Sequence, residues 1–191
     1  MDSEYPVQLE IDPAAQQGRL SILLRLILVI PHAIVLYFLG IAVGLVGILA
    51  WFAIVILGRF PASMLRFTIG YSLWNARANA YSNLLTGRYP PFSLDEEADY
   101  PVRLTVEEKI EGRNRLTTFF RLILIIPHAI VLSFLGIIAW FVLIAAWLVG
   151  VVLGRVPEGM HNFHVGVSRW NVRVNAYGGL LVDEYPPFSF E

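Results

Sequence analysis

Two long apolar stretches dominate the chain, and each sits inside the same succession of shorter patterns. Leu20 to Leu57 carries only Arg25 and His32 as basic side chains, and Leu122 to Leu153 carries only His128. A helix needs roughly 20 apolar residues to cross a hydrocarbon core of about 30 Å, and both stretches exceed that. Ahead of each lies a short alternation: Val7, Leu9 and Ile11 in one case, Val102, Leu104 and Val106 in the other. A period of two predicts a half-buried strand. Behind the first stretch, Phe67, Tyr71, Trp74, Ala78, Tyr81 and Leu85 recur every three or four residues, while Ser72, Asn75, Asn79 and Ser82 fall between them. That spacing predicts a helix with one apolar stripe, stopped near Gly87. Its aromatic residues and scattered arginines suit a helix in the headgroup plane. The competing expectation is a helix packed on the strands.

Taken as one helix, Leu20 to Leu57 would be about 57 Å long, too long for one crossing and enough for a tight hairpin. Arginine flanks it on both sides, Arg19 and Arg25 before, Arg59 and Arg66 after, and Gly40, Gly44 and Gly47 lie in the uncharged middle. The loop-charge rule then places both ends inside and the turn outside. The expectation is four transmembrane helices with both termini cytoplasmic. The alternative is an interfacial helix ending at Ile30 and one long tilted span starting at Pro31. In the second stretch only Gly136 remains where a turn is wanted.

The succession repeats because the sequence does. RLILVIPHAIVLYFLGI from Arg25 recurs as RLILIIPHAIVLSFLGI from Arg121, LGRFP from Leu57 as LGRVP from Leu153, WNARANAY from Trp74 as WNVRVNAY from Trp170, and YPPFS from Tyr89 at Tyr185. All share one offset, and Tyr5-Pro6-Val7 answers Tyr100-Pro101-Val102 further upstream. This divides the chain into a first module at 1–94, an acidic linker at 95–99 and a second module at 100–191.

Composition agrees with a membrane protein. Of 191 residues 57% are apolar and 15% charged, against about 25% charged in soluble domains. Without cysteine there is no disulfide or thiolate metal site. The start, Met1 to Asp12, is acidic where a cleavable signal peptide would be basic, so the first stretch is expected to insert itself. Charge is segregated: Pro13 to Leu94 holds Arg19, Arg25, Arg59, Arg66, Arg77 and Arg88 and no Asp or Glu. A basic membrane-proximal surface attracts anionic lipid by about 1 kcal/mol per arginine; the same pattern also serves as plain topology marking. No nucleic-acid partner is expected.

Four features are candidates for chemistry. Arg25 and Arg121 lie inside the apolar stretches with no acid there to pair with, so they read as lipid-phosphate anchors or as a transport site. Their lack of carboxylate neighbours disfavours a proton relay. Pro31-His32 and Pro127-His128 admit two readings. In one the imidazole satisfies a carbonyl freed by proline; in the other, two symmetry-related histidines ligate a haem or chlorin. Trp74 with Arg77, and Trp170 with Arg173, set guanidinium and amide groups along one helix, able to clamp a phosphate or to bind the other module or a partner protein. His161 and His164 are spaced to share a metal, but Leu65 and Thr68 replace them in the first module and no third ligand is evident, so no metal site is assigned. There is no phosphate loop, no nucleophile beside a base and no carboxylate pair, so no catalytic residue is assigned.

Together YPV, FFRLILIIPHAIVL, LGRVP, RWNVRVNAY and YPPFS resemble the bacterial membrane family known as domain of unknown function 4389, in two copies covering nearly the whole chain. The second copy is nearer the pattern, since the first has ILLRLILVIPH where the second has TFFRLILIIPH. The resemblance implies a bacterial inner-membrane protein and no activity. The expected fold is mainly α and membrane-embedded: two tandem repeats, each a transmembrane helical hairpin plus an amphipathic interfacial helix, with short strands at the cytoplasmic side. The expected role is that of a non-enzymatic accessory or scaffold subunit binding anionic lipid or other membrane proteins. A small transporter or channel at the repeat interface and a haem- or chlorin-binding subunit are the alternatives.

Overall fold

The computed structural model describes residues 5–190. Its elements run in two equivalent series. The first is β1 (Val7–Ile11), α1 (Arg19–Leu23), α2 (Arg25–Leu57) and α3 (Ala62–Ser82). The second is β2 (Val102–Val106), α4 (Arg115–Phe119), α5 (Arg121–Leu124), α6 (Ile126–Leu153) and α7 (Glu158–Gly178). Both alternating segments form strands over the residues their pattern marked.

Each apolar stretch is dominated by one long helix after a break near its start, at Leu24 in the first and at Ile125, just ahead of Pro127, in the second, and the expected hairpin is absent. Arg25–Leu57 is one unbroken helix of 33 residues, about 50 Å at 1.5 Å per residue. The glycines at 40, 44 and 47 stay helical within it. Each costs roughly 1 kcal/mol against alanine, too little to break a helix whose peptide groups have no other partners. Pro31 is also accommodated, so the interfacial break at Ile30 does not occur either. The true ends of the long helices are Gly58 and Gly154 in the left-handed region, at φ 71° and 73°. Only glycine enters that region without strain, which accounts for the repeated LGR.

Packing exchanges elements between the modules. β1 and β2 pair antiparallel, Val7 with Val106 and Leu9 with Leu104, so a pseudo-twofold axis passes through the Leu9–Leu104 pair. A two-stranded ribbon is marginal alone; here Val7, Leu9, Val102 and Leu104 are buried in one core with Leu73, Ala76, Ala80 and Ala176. β1 packs on α7 and β2 on α3, while α1 packs on α6 and α4 on α2. The exchange is pinned by matched hydrogen bonds. Trp51 Nε1 donates to the Thr118 carbonyl at 3.1 Å and Trp147 Nε1 to that of Ile22 at 3.0 Å. The Tyr5 hydroxyl donates to the Glu184 carbonyl and that of Tyr100 to the Arg88 carbonyl. The segment preceding each long helix therefore serves the other copy.

α3 and α7 lie between the long helices and the strands, so they are buried on two faces rather than one. Trp74 and Ala78 pack with Leu36 of α2, and Leu73, Ala76 and Ala80 join the core beneath the sheet. α3 stops five residues before Gly87, because Leu84 takes the left-handed conformation, φ 61°, as does Leu180 at φ 65°. The outer halves of α2 and α6 are bare. Only 11% of the most apolar window of each is buried, and both are long and apolar enough to cross a membrane.

Gly70 and Gly166 mark close approaches of the chain after YPPFS to α3 and α7. A Cβ at Gly70 would lie 2.8 Å from the Leu94 carbonyl oxygen, and one at Gly166 2.8 Å from Phe190 Cβ. Gly70→Ala is expected to destabilise by roughly 1–3 kcal/mol, as overpacked cores do. Gly136→Ala, where nothing lies within 4 Å, should be neutral or stabilise by up to about 1 kcal/mol through helix propensity. Melting temperatures in detergent measure both; equal values would contradict this packing.

Candidate functional site

Arg25 and Arg121 are 1% exposed and lie inside the protein. Arg25 donates to the carbonyls of Tyr81 at 3.0 Å and Thr86 at 2.6 Å and to Gln17 Oε1 at 2.7 Å, with its guanidinium 4.0 Å over the Tyr81 ring. Arg121 does the same with the carbonyls of Tyr177 and Val182, over the Tyr177 ring at 4.1 Å. These acceptors lie where α3 and α7 end, so each arginine clamps the start of a long helix to the end of the next. Helix C-terminal carbonyls are electron-rich and lack intrahelical partners, which suits a cation. Cation–π contact adds about 2 kcal/mol once desolvated. A role as lipid anchor is not what these surroundings supply.

The clamps differ in one respect. Gln17 completes the first, its Nε2 donating to the Leu84 carbonyl at 2.8 Å. The equivalent residue is Arg113, which donates to the carbonyls of Leu180 and Leu181 and pairs with Asp183 at 3.1 Å; Asp183 also pairs with Arg121 at 3.2 Å. Gly87 stands opposite Asp183, and a Cβ there would press on Gln17 Cγ at 3.1 Å. Arg113, Arg121 and Asp183 together leave one positive charge, the same as Arg25 alone. Burial pulls the Arg113 guanidinium below its ordinary value, with Asp183 opposing.

His32 and His128 are fully buried. Trp74 Nε1 donates to His32 Nδ1 at 3.0 Å, and Trp170 Nε1 to His128 Nδ1 at 3.1 Å. Phe92 stacks on His32 with centroids 3.9 Å apart, and Phe188 on His128 at 3.8 Å. The PH, WN and YPPF motifs thus converge on one box per module. Near the proline it is tyrosine, not histidine, that satisfies backbone: Tyr89 donates to the Leu28 carbonyl and Tyr185 to that of Leu124. Each imidazole sits in its own module's box. Ligating a haem or chlorin would require breaking the tryptophan bond or lifting the aromatic cap.

The remaining sequence candidates also bond inward. Arg77 donates to the Asp95 carbonyl at 2.9 Å, two residues past YPPFS, and Arg173 to Ser189 Oγ at 3.3 Å, the last residue of the second YPPFS. His161 bonds across the module boundary to the Leu85 carbonyl at 3.2 Å. His164 is buried, and burial first, then His161, lowers its pKa. Two features escaped the motif reading. Arg115 lies over Gly58, beside Arg59, and Arg19 lies over Gly154, beside Arg155. All four are exposed, and among the described residues none has an acidic partner. The second feature is a cleft of about 510 Å³ between α3 and α7. Ser72, Asn75 and Asn79 line one wall, Ser168, Asn171 and Asn175 the other, and no charged side chain among the described residues lines it.

The two clamps make a double-mutant cycle available. Gln17→Arg alone adds a buried cation without a counter-charge, and Gly87→Asp alone crowds Gln17. Both together reproduce the second module's clamp. Each single change should destabilise, and the pair should recover roughly 1–3 kcal/mol of coupling; additive melting shifts would show that the two positions do not interact.

No curated protein and no solved structure matches this chain. The family model described as Domain of unknown function (DUF4389) matches residues 19–93 and 115–189, the two stretches that carry the clamps and the histidine boxes, and the chain belongs to that family as two tandem copies.

Proposed function

We propose that this is a non-enzymatic integral membrane protein that binds anionic lipid at its rim and serves as an accessory subunit beside other membrane proteins. One observation carries the reading: the outer halves of α2 and α6 are apolar and bare along their whole length. A core helix of a soluble protein would be mostly buried, whereas exposed apolar surface on this scale needs hydrocarbon or another protein. The arginine pairs Arg59 with Arg115 and Arg155 with Arg19 stand where the two long helices end, at the edge of that surface. They suit lipid phosphates; because the end of α6 lies beside the start of α2, a crossing α2 sets one arginine pair at each face of the bacterial inner membrane. The clamp arginines and Nδ1 of each histidine already have protein partners, which favours a structural role for them, while Nε2 of His32 and of His128 is buried without a hydrogen-bond partner among the described residues.

The protein should remain in membranes after an alkaline carbonate wash. Replacing Arg19, Arg59, Arg115 and Arg155 by glutamine should leave it membrane-bound but weaken retention of phosphatidylglycerol, by about 1 kcal/mol per arginine at low salt. Quantifying co-purified lipid checks this. A folded, monodisperse protein in detergent-free buffer would overturn the reading.

A further inference from the structure

The cleft between α3 and α7 has asparagine and serine walls over an apolar floor that includes Leu9, Leu104 and Val106, and no charged side chain among the described residues lines it. Asn79 Nδ2 donates to Asn75 Oδ1 at 2.9 Å, and Asn175 Nδ2 to Asn171 Oδ1 at 2.6 Å. These pairs leave Nδ2 of Asn75 and Asn171 and Oδ1 of Asn79 and Asn175 with no hydrogen bond among the described residues. Donors and acceptors therefore alternate on both walls. Hydroxyls, which both donate and accept, match such a lining. A phosphate would find no cation there, and an ammonium no carboxylate.

This cleft adjoins a second one, of about 460 Å³, with which it shares Val43, Thr68 and Gly179. The second cleft is apolar and runs along α2 over Gly44, Gly47, Ile48 and Trp51. Its one charged lining residue is Arg121, whose guanidinium is held by Tyr177, Val182 and Asp183. Gly44 and Gly47 have nothing within 4 Å of where a Cβ would stand. The second module carries Trp140 and Leu143 at the matching positions, so the repeat leaves this apolar space open in the first module and fills the corresponding positions in the second. A cleft walled by asparagines, adjoining an apolar channel on a lipid-facing helix, matches the form of an amphiphile.

From this we infer that the two clefts hold one uncharged lipid with a hydroxylated headgroup, of the glycosyl-diacylglycerol class. The headgroup sits among Asn75, Asn79, Asn171 and Asn175, and an acyl chain lies over Gly44 and Gly47. The inference rests on the reading of α2 as lipid-facing. The asparagine walls favour sugar hydroxyls, and this one pair of clefts accommodates one lipid per chain.

The test uses the full chain in phosphatidylcholine nanodiscs with tritiated monogalactosyl diacylglycerol as probe, and native mass spectrometry for stoichiometry. Wild type should retain one probe molecule per chain, in preference to phosphatidylglycerol. The Gly44→Trp, Gly47→Leu double variant copies the second module's residues into open space; it should keep its melting temperature and lose at least tenfold in retention. Asn75→Leu with Asn171→Leu should lose as much. Unchanged retention in the glycine variant, or a loss of phosphatidylglycerol in that variant equal to the loss of probe, overturns the inference; phosphatidylglycerol held at the arginine rim is unaffected by it. Binding of methyl galactoside at the affinity of the lipid, unaffected by the glycine variant, also overturns it in favour of a free sugar. Carbonate extraction of the same samples separates the two levels: a protein that leaves the membrane defeats the proposed function, and one that stays but retains no probe defeats only the lipid site.

Discussion

A guanidinium buried at the start of each long helix sets the terms for everything else. An arginine taken out of water is tolerable only when several of its donors meet acceptors that spread its charge. Carbonyls at and just past a helix C-terminus, short of intrahelical partners, can do this. Arg25 finds that of Tyr81 in the last turn of α3 and that of Thr86 beyond it, and Arg121 finds those of Tyr177 in α7 and Val182 beyond it. α3 must therefore return antiparallel along α2, ending level with its start. Once it does, Trp74 reaches His32 and the YPPF segment closes over the imidazole. The left-handed turns at Leu84 and Leu180, unusual for leucine, are held by the same clamps, since Gln17 bonds to the Leu84 carbonyl and Arg113 to that of Leu180.

The exchange between copies follows from what one copy lacks. A lone strand has no ladder, and a short helix such as α1 or α4 is not stable by itself. Each copy supplies these pieces to the other, so the strand ladder, the tryptophan bonds to Ile22 and Thr118 and the tyrosine bonds to Arg88 and Glu184 all cross the sequence boundary. The acidic linker between modules is thus a boundary in the sequence and not in the packing.

The protein is layered with its apolar surface outside and polar groups enclosed. Bare apolar halves of α2 and α6 face outward, the arginines and histidines of the repeat bond inward, and an uncharged asparagine cleft lies near the pseudo-twofold axis. This arrangement gives the departures from symmetry their interest: Gln17 and Gly87 against Arg113 and Asp183 conserve local charge, while Gly44 and Gly47 against Trp140 and Leu143 change the shape of the surface.

Local pattern alone determined the strands, the long apolar helices, the aromatic helices after them and the duplication, because period, length and identity are properties of neighbours in the chain. The same residues misled on three points. Glycines in an apolar run read equally as turn or as helix, and only the absence of other backbone partners decided for helix. Arg25 and Arg121 lacked acids nearby in sequence, so they looked like lipid anchors; their acceptors are backbone carbonyls, which every residue carries and no sequence displays. Gln17 and Arg113, with Gly87 and Asp183, differ between copies, so a search for repeated motifs passes over them. Which module each strand serves, where the asparagines meet and where space stays open are relations between distant segments, and tertiary packing alone decided them.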